Sequence, residues 1–205
     1  TRELIGVMTE FSDQICPHLH LCLQSGSDAV LRRMKRRWCT KRFSDRCALV
    51  REQLAYPAIT TDIIVGFPGE TDREFSETCA TVERLRFSKI HVFPFSPRRT
   101  TPAASMPAQV DPRVKAARVK ELKSIEARLR WQYHHSLLGK QLRVLLETPD
   151  RNRSGYCTGT SCRYAPVVVQ TDVSPGEFVD VQVAQIESNY LEGHVGSVSS
   201  CRIGS

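Results

Sequence analysis

The sequence predicts a two-part chain, an α/β segment followed by a small all-β domain, and two observations carry that expectation. In the first half, short apolar runs alternate with segments whose apolar residues recur at helical spacing, the pattern of right-handed βαβ units around a parallel sheet. After Gly139 the helical period stops, and β-rich runs separated by turns replace it. The boundary is therefore placed between residues 139 and 140, giving parts 1–139 and 140–205.

Each element has a local reason. A helix-like opening leads into "HLHLCLQ" (His18 to Gln24), a strand with Leu19, Leu21 and Leu23 alternating on one face, and "SGSD" follows as a turn with an N-cap. A basic helix with Ala29, Val30 and Met34 as apolar points comes next, then a second helix from Phe43 to Leu54 that ends near Pro57. Ile59 to Val65 reads as the next strand. Beyond it, "ETDREFSETCATVERLRF" sets Phe75, Cys79, Val82 and Leu85 at helical spacing, and "KIHVFPFS" is again strand-like.

The stretch "SPRRTTPAASMPAQVDP" breaks the pattern, and Asp111 and Pro112 open a long helix. Its apolar face is expected to be Val114, Ala117, Leu122, Ile125, Leu129 and Tyr133, with Gly139 closing it. The runs "QLRVLLET", "APVVVQT", "EFVDVQVAQI" and "LEGHVGSV" then predict an antiparallel barrel of about 65 residues.

Composition narrows the function classes. With 40% hydrophobic residues the 205-residue chain can bury a core. No apolar run reaches the ~18 residues of a membrane span, and no basic-then-apolar leader is present, so a cytoplasmic protein with no membrane partner is expected. Thr1 is not an initiator Met and leads straight into a helix, so the chain is expected to begin mid-fold. The eight cysteines are scattered through apolar segments, which favours reduced thiols. None of their spacings is CxxC or CxxxCxxC, and no metal ligand is expected within these residues; His18, His20 and His91 read as strand residues.

The net charge of +7 is unevenly spread. "RRMKRRWCTKRFSDR" holds eight basic residues and one acid, and Arg98 to Arg143 holds eleven against three, whereas Gln141 to Ser205 holds five against seven. Basic clusters of this density fit a polyanion, because neutralising phosphates releases condensed counterions. A solvated helix face fits the same clusters; on the polyanion reading, RNA or DNA, the expected contacts include Arg36, Arg37 and Arg98, Arg98 through a bidentate grip. In the acidic tail the exposed aromatics Tyr156 and Tyr164 take that role by stacking.

The segment "TTDIIVGFPGETDREF" ends a buried strand in a tight Gly-Phe-Pro-Gly turn. In parallel α/β sheets ligands bind beyond the carboxyl ends of strands, and Gly66 and Gly69 let the backbone approach a ligand while Pro68 stiffens the turn. The turn has no Walker Lys-Ser/Thr and is no GxGxxG fingerprint. By itself it fits a ligand site and a plain strand-to-helix connection equally well.

Three strand ends in register go further. "HLHLCLQSGSDAVLRRMKRR", "TDIIVGFPGETDREF" and "HVFPFSPRRTTPAASM" resemble the fourth, fifth and sixth strands, with their loops, of the radical S-adenosylmethionine tRNA methylthiotransferases. The tail is similar to the TRAM domain that follows the barrel in that family. "FSKIHVFPFSPR", with His91 before the aromatic pair, is most similar to the branch acting on N6-threonylcarbamoyladenosine. The resemblance implies the C-terminal half of a radical SAM, partial TIM-type barrel followed by a TRAM-like RNA-binding barrel. It also implies a cofactor site for S-adenosylmethionine. Gln24 and Ser25 face its ribose and amino-acid part, Val65, Gly66 and Pro68 offer backbone and apolar contact to adenine, and Phe93 and Pro94 close the adenine pocket.

The expected reaction of the intact family member is methylthiolation at C2 of the modified adenosine next to the anticodon. That requires tRNA, S-adenosylmethionine, 4Fe–4S clusters, an electron donor and a sulfur source. The family's cluster-binding CxxxCxxC is absent, so the chain by itself is expected to be inactive. Thr100 stands where the family's "SPRxGTPA" stretch has Gly. A half barrel exposes strand edges, so poor solubility of the isolated chain is also expected. Two alternatives stay open: a sister enzyme acting on isopentenyladenosine or a ribosomal-protein Asp, and a cluster-free RNA-binding module.

Overall fold

The computed structural model describes residues 2–196, so Cys201 and the end of "LEGHVGSV" lie outside the described residues. Helix α1 (Arg2–Glu10) leads to strand β1 (His18–His20), then helices α2 (Asp28–Arg33) and α3 (Thr40–Gln53) lead to β2 (Ala58–Val65). Helix α4 (Asp72–Leu85) connects to β3 (Lys89–Pro94), and α5 (Pro112–Ser136) follows. The strands pair in parallel in the order β1-β2-β3, a three-stranded sheet open at both edges among the described residues. Helices pack on one face: Leu23, Ile59, Ile63, Val65 and Ile90 meet Cys47, Val50, Phe75, Val82, Leu122 and Leu129 in one core. Such burial contributes about 1.5–3 kcal/mol per large apolar side chain.

Strand β1 is shorter than the predicted His18 to Gln24, and hydrogen bonding gives the reason. His20 pairs with Thr60, but Gln24 bridges Ile63, so β1 carries one extra residue over that interval. The bulge breaks the ladder, and the Thr61 hydroxyl accepts the orphaned Leu23 N–H at 3.0 Å. The chain then rejoins β2, with Gln24 N–H donating to Asp62 O and Ile64 N–H to Gln24 O, each at 2.9 Å.

Helix α4 starts in a capping box, in which Thr71 Oγ1 accepts from Glu74 N–H while the Glu74 carboxylate accepts from Thr71 N–H. Helix α5 begins as the sequence indicates, with Pro112 in its first turn and Asp111 Oδ1 accepting from Arg113 N–H at 2.7 Å. Its buried face differs from the predicted one. Val114 and Ala117 are exposed, and Arg118, Leu122, Leu129 and His134 are the buried positions, because Arg118 turns inward to meet Glu70.

Strands β4 (Gln141–Pro149), β5 (Tyr156–Ser161), β6 (Pro166–Gln170), β7 (Phe178–Ile186) and β8 (Leu191–Val195) close a barrel in the order β4-β5-β6-β8-β7. Alternate valines and leucines fill it, and Leu137, just past α5, is fully buried among them. No helix among the described residues is long and apolar enough to cross a membrane.

Candidate functional site at the strand ends

The carboxyl ends of β1, β2 and β3 gather the residues singled out by sequence. Gln24 sits at φ 73, a left-handed conformation that costs a non-glycine residue about 1–2 kcal/mol. The bulge and its two backbone bonds hold it there, aiming the carboxamide past the strand end. Gln24 Oε1 accepts from Arg36 Nη2 at 2.8 Å, and among the described residues no partner holds its Nε2. Arg36 also lies 5.4 Å over the Trp38 ring, and Arg36 and Arg37 are exposed on the α2–α3 connection.

Ser25 is fully buried, with its hydroxyl 3.2 Å from Thr78 Oγ1. Its side chain therefore braces the turn against α4, and the expected contact of that side chain with a ligand has no geometric support. Gly26 continues the brace: its N–H donates to Thr78 Oγ1 at 3.1 Å and its carbonyl accepts from Thr81 Oγ1 at 3.0 Å. A Cβ on Gly26 would lie 2.6 Å from Thr78 Cα, so only glycine fits this approach.

The Gly-Phe-Pro-Gly turn follows β2 with Gly66 at φ 72 and Gly69 at φ 73. Glu70 ties it together from inside. Its buried Oε2 accepts from Gly66 N–H at 2.6 Å and from Arg118 Nη1 at 2.8 Å, while Arg118 Nη2 reaches Asp72 Oδ1 at 2.8 Å. Burial pushes the Glu70 carboxyl up, and the Gly66 N–H and Arg118 oppose that rise. On the outer side, Arg33 forks onto both Glu74 oxygens at 2.8 and 2.7 Å and onto Gly69 O at 3.2 Å. That pair holds the Glu74 carboxyl down to about 2.

The Val65 side chain is in the core, and its carbonyl accepts Phe95 N–H at 2.8 Å, so Val65 meets the strand ends through backbone only. Pro68 is buried in the turn, and Phe67 packs edge-on against Phe95 at 5.2 Å. Phe93 is 49% exposed and Pro94 is exposed, which leaves an apolar shelf at the end of β3. Arg98 is exposed in the segment beyond it.

The sheet face turned away from the helices is polar. His18 Nε2 and His20 Nδ1 each lie 3.0 Å from Thr60 Oγ1, and His20 Nε2 lies 3.4 Å from Asp62 Oδ2. His91 joins His20 and Asp62, one ligand atom of each falling within 4.8 Å of the others. Burial holds the His18 imidazole below its ordinary range, with the neighbouring His20 adding to the effect. Sequence reading missed this cluster, since its members come from three strands; the alternation of His18, His20 and Cys22 is the one signal that put imidazoles on a common face.

The five-stranded barrel docks at the opposite, amino-terminal end of the sheet. Tyr164, 45% exposed, stacks on His18 at 4.4 Å and 3° with Lys89 5.7 Å from its ring, and Arg163 Nη2 donates to Ala55 O at 3.0 Å. Arg143 Nη1 donates to Asp13 O at 2.6 Å. Tyr164 thus serves the domain junction, a contact that its sequence reading as an exposed RNA-stacking ring did not include. Tyr156, at the start of β5, lies under the Arg153 guanidinium at 3.7 Å, and Arg153 forks onto Glu192.

Comparison with known proteins agrees with this architecture. Residues 2–82 match the Radical SAM superfamily and residues 135–195 match the TRAM domain. The Escherichia coli coproporphyrinogen III oxidase structure, a radical SAM enzyme, superposes with a TM-score of 0.51 at 19% identity over 61% of this chain and 30% of that one, a likeness of fold. Residues 2–82 of the chain are thus similar to the Radical SAM superfamily and residues 135–195 to the TRAM domain.

Its homologues include proteins named as tRNA methylthiotransferases. It is 38% identical to the Bacillus subtilis threonylcarbamoyladenosine tRNA methylthiotransferase over 94% of this chain and 43% of the relative. It is 35% identical to the Thermodesulfovibrio yellowstonii tRNA-2-methylthio-N(6)-dimethylallyladenosine synthase over 95% of this chain and 44% of the relative. The chain spans under half the length of these relatives.

S-adenosylmethionine and an iron–sulfur cluster are the groups this superfamily implies. The strand ends fit the first: glycine turns at positive φ, an apolar Phe93 shelf, and a Gln24 amide held past the strand end. They do not fit the second, because no three cysteines among the described residues converge on one point.

Proposed function

We propose that this chain forms the C-terminal part of a cytoplasmic tRNA methylthiotransferase acting on N6-threonylcarbamoyladenosine. In this reading Gln24, Gly66, Pro68, Phe93 and Pro94, with the Val65 backbone, form one wall of the S-adenosylmethionine site, and Ser25 braces it. Bound there, S-adenosylmethionine would supply radical chemistry at its 5′ carbon and, from a second molecule, a methyl group. The cluster that reduces it is held elsewhere in the protein, and the electron donor and sulfur source are separate partners. Arg36, Arg37, Arg98 and Tyr156 provide tRNA contacts.

The observation that carries the choice of substrate is the polar sheet face below the strand ends, where His18, His20, Thr60, Asp62, Lys89 and His91 gather. A threonylcarbamoyl group brings a carboxylate and a hydroxyl that such a face can pair. A dimethylallyl group brings neither, and offers this face no polar group to pair with.

The test is expression of the protein, with the residues encoded upstream of Thr1, in bacteria lacking both tRNA methylthiolation activities, followed by mass spectrometry of tRNA nucleosides. Methylthio-threonylcarbamoyladenosine is expected. The dimethylallyl product in its place would assign the sister activity carried by the T. yellowstonii relative's name.

A further inference from the structure

We propose that His20, Asp62 and His91 form a mononuclear binding site for a transition-metal ion of the Zn2+ class, distinct from any iron–sulfur cluster. The three side chains project from adjacent strands β1, β2 and β3 of one hydrogen-bonded sheet, in which Asp62 pairs directly with His91. The backbone fixes their spacing without a loop. Two ligand atoms bound at about 2.0–2.1 Å to a tetrahedral ion stand about 3.3–3.5 Å apart. His20 Nε2 and Asp62 Oδ2 are 3.4 Å apart, and His91 needs only a small side-chain adjustment from within 4.8 Å.

Thr60 supplies the supporting contact that metal-bound imidazoles commonly have. Thr60 Oγ1 stands 3.0 Å from both His18 Nε2 and His20 Nδ1, a hydroxyl held between the two rings. That contact occupies His20 Nδ1 and leaves Nε2 as the ring nitrogen turned to Asp62. His20 Nε2 and the Asp62 carboxylate face each other at 3.4 Å, and either a proton or a metal ion between them would bond both. A proton makes a plain ion pair of His20 and Asp62. The convergence of His91, a third donor that this pair does not need, points to the metal.

Cys22, on the same side of β1, lies 3.8 Å from Asp62 Oδ2. The site thus has three nitrogen and oxygen donors and a fourth position, which Cys22 or an oxygen ligand can complete. Imidazole and carboxylate donors suit Zn2+ over Ca2+ or Mg2+.

The ion would take three of the side chains that the proposed substrate reading also uses, and its binding is tested by metal content, which is read independently of which adenosine is modified. The protein with its upstream residues is purified, reconstituted with iron and sulfide, exposed to one to two equivalents of Zn2+, and assayed for zinc and iron by mass spectrometry. Wild type is expected to hold one zinc per chain more than His91→Ala, with equal iron and the same circular dichroism. Asp62→Asn, nearly isosteric, is expected to lose the same zinc, and Thr60→Val to weaken it about 10–100-fold. X-ray absorption should show the extra zinc bound mainly by nitrogen and oxygen. Equal zinc in wild type and in the folded Asp62→Asn protein would overturn the proposal, as would no zinc uptake by wild type beyond its iron-site cysteines.

Discussion

Replacing Arg118 by Met tests whether the Gly-Phe-Pro-Gly turn is held from inside by a buried ion pair. Arg118 and Glu70 are both buried, and the carboxylate that Arg118 contacts also accepts the Gly66 N–H. Methionine keeps the apolar stem against Phe75 but removes the bonds to Glu70 Oε2, Glu70 O and Asp72 Oδ1. Removing one partner of a buried pair costs about 3–5 kcal/mol, because the other charge is left desolvated.

The loss should carry a pH signature. Burial already raises the folded Glu70 pKa, and without Arg118 it rises further. Over the interval above the unfolded value near 4.5 the folded state then binds more protons than the unfolded state, so the variant loses stability as pH rises. Urea denaturation of wild type and Arg118→Met should show a deficit of about 3–5 kcal/mol at pH 8 that shrinks toward pH 5. Adding Glu70→Gln should recover a large part of it, since a neutral amide needs no counter-ion. A deficit below about 1 kcal/mol, or one of equal size at both pH values, would refute the reasoning.

Other predictions follow from single contacts. Gly26→Ala forces α4 away from the turn, because a Cβ there would sit 2.6 Å from Thr78 Cα and 2.7 Å from Thr81 Cβ; a loss of about 2–4 kcal/mol in denaturant titration is expected. Burial lowers the His134 pKa from 6.5 to about 4, so the unfolded state binds the extra proton between those values. Its stability contribution is complete above pH 6.5 and falls by about 2–3 kcal/mol as pH drops to 4, a slope that His134→Gln should remove from a pH series of melting curves. Tyr164→Ala removes the His18 stack at the domain junction, and limited proteolysis near residues 137–140 should speed up by several-fold.

Much of the α/β part was legible because its signals are local. The capping-box Thr71 and Glu74, the helix start at Asp111 and Pro112, and the paired glycines of the turn all act through neighbours a few residues away. Strand β5 was not legible. Its inward positions Cys157, Gly159 and Ser161 carry no large apolar group, because a Cβ on Gly159 would stand 2.2 Å from Leu145 O and the Ser161 hydroxyl bonds Ala165 O. The inward turn of Arg118 was hidden for a different reason: its partner Glu70 is 48 residues away, and local periodicity favoured Val114 and Ala117. The same applies to the site. Gln24 and the glycines declared themselves by sequence pattern, while the burial of Ser25 depends on Thr78 and the junction role of Tyr164 on His18. His20, Asp62 and His91 meet only through strand register, which a single sequence does not display.

The central claim is that these strand ends are one wall of an S-adenosylmethionine site in a radical enzyme. The most direct measurement is 5′-deoxyadenosine production by the protein with its upstream residues, reconstituted anaerobically with iron and sulfide and supplied with a chemical reductant. The account predicts a cluster absorbance band and deoxyadenosine formation, with Phe93→Ala raising the KM for S-adenosylmethionine while the cluster band is kept. A protein that binds tRNA but forms neither cluster nor deoxyadenosine would contradict it, and would make the chain an RNA-binding module that does no chemistry.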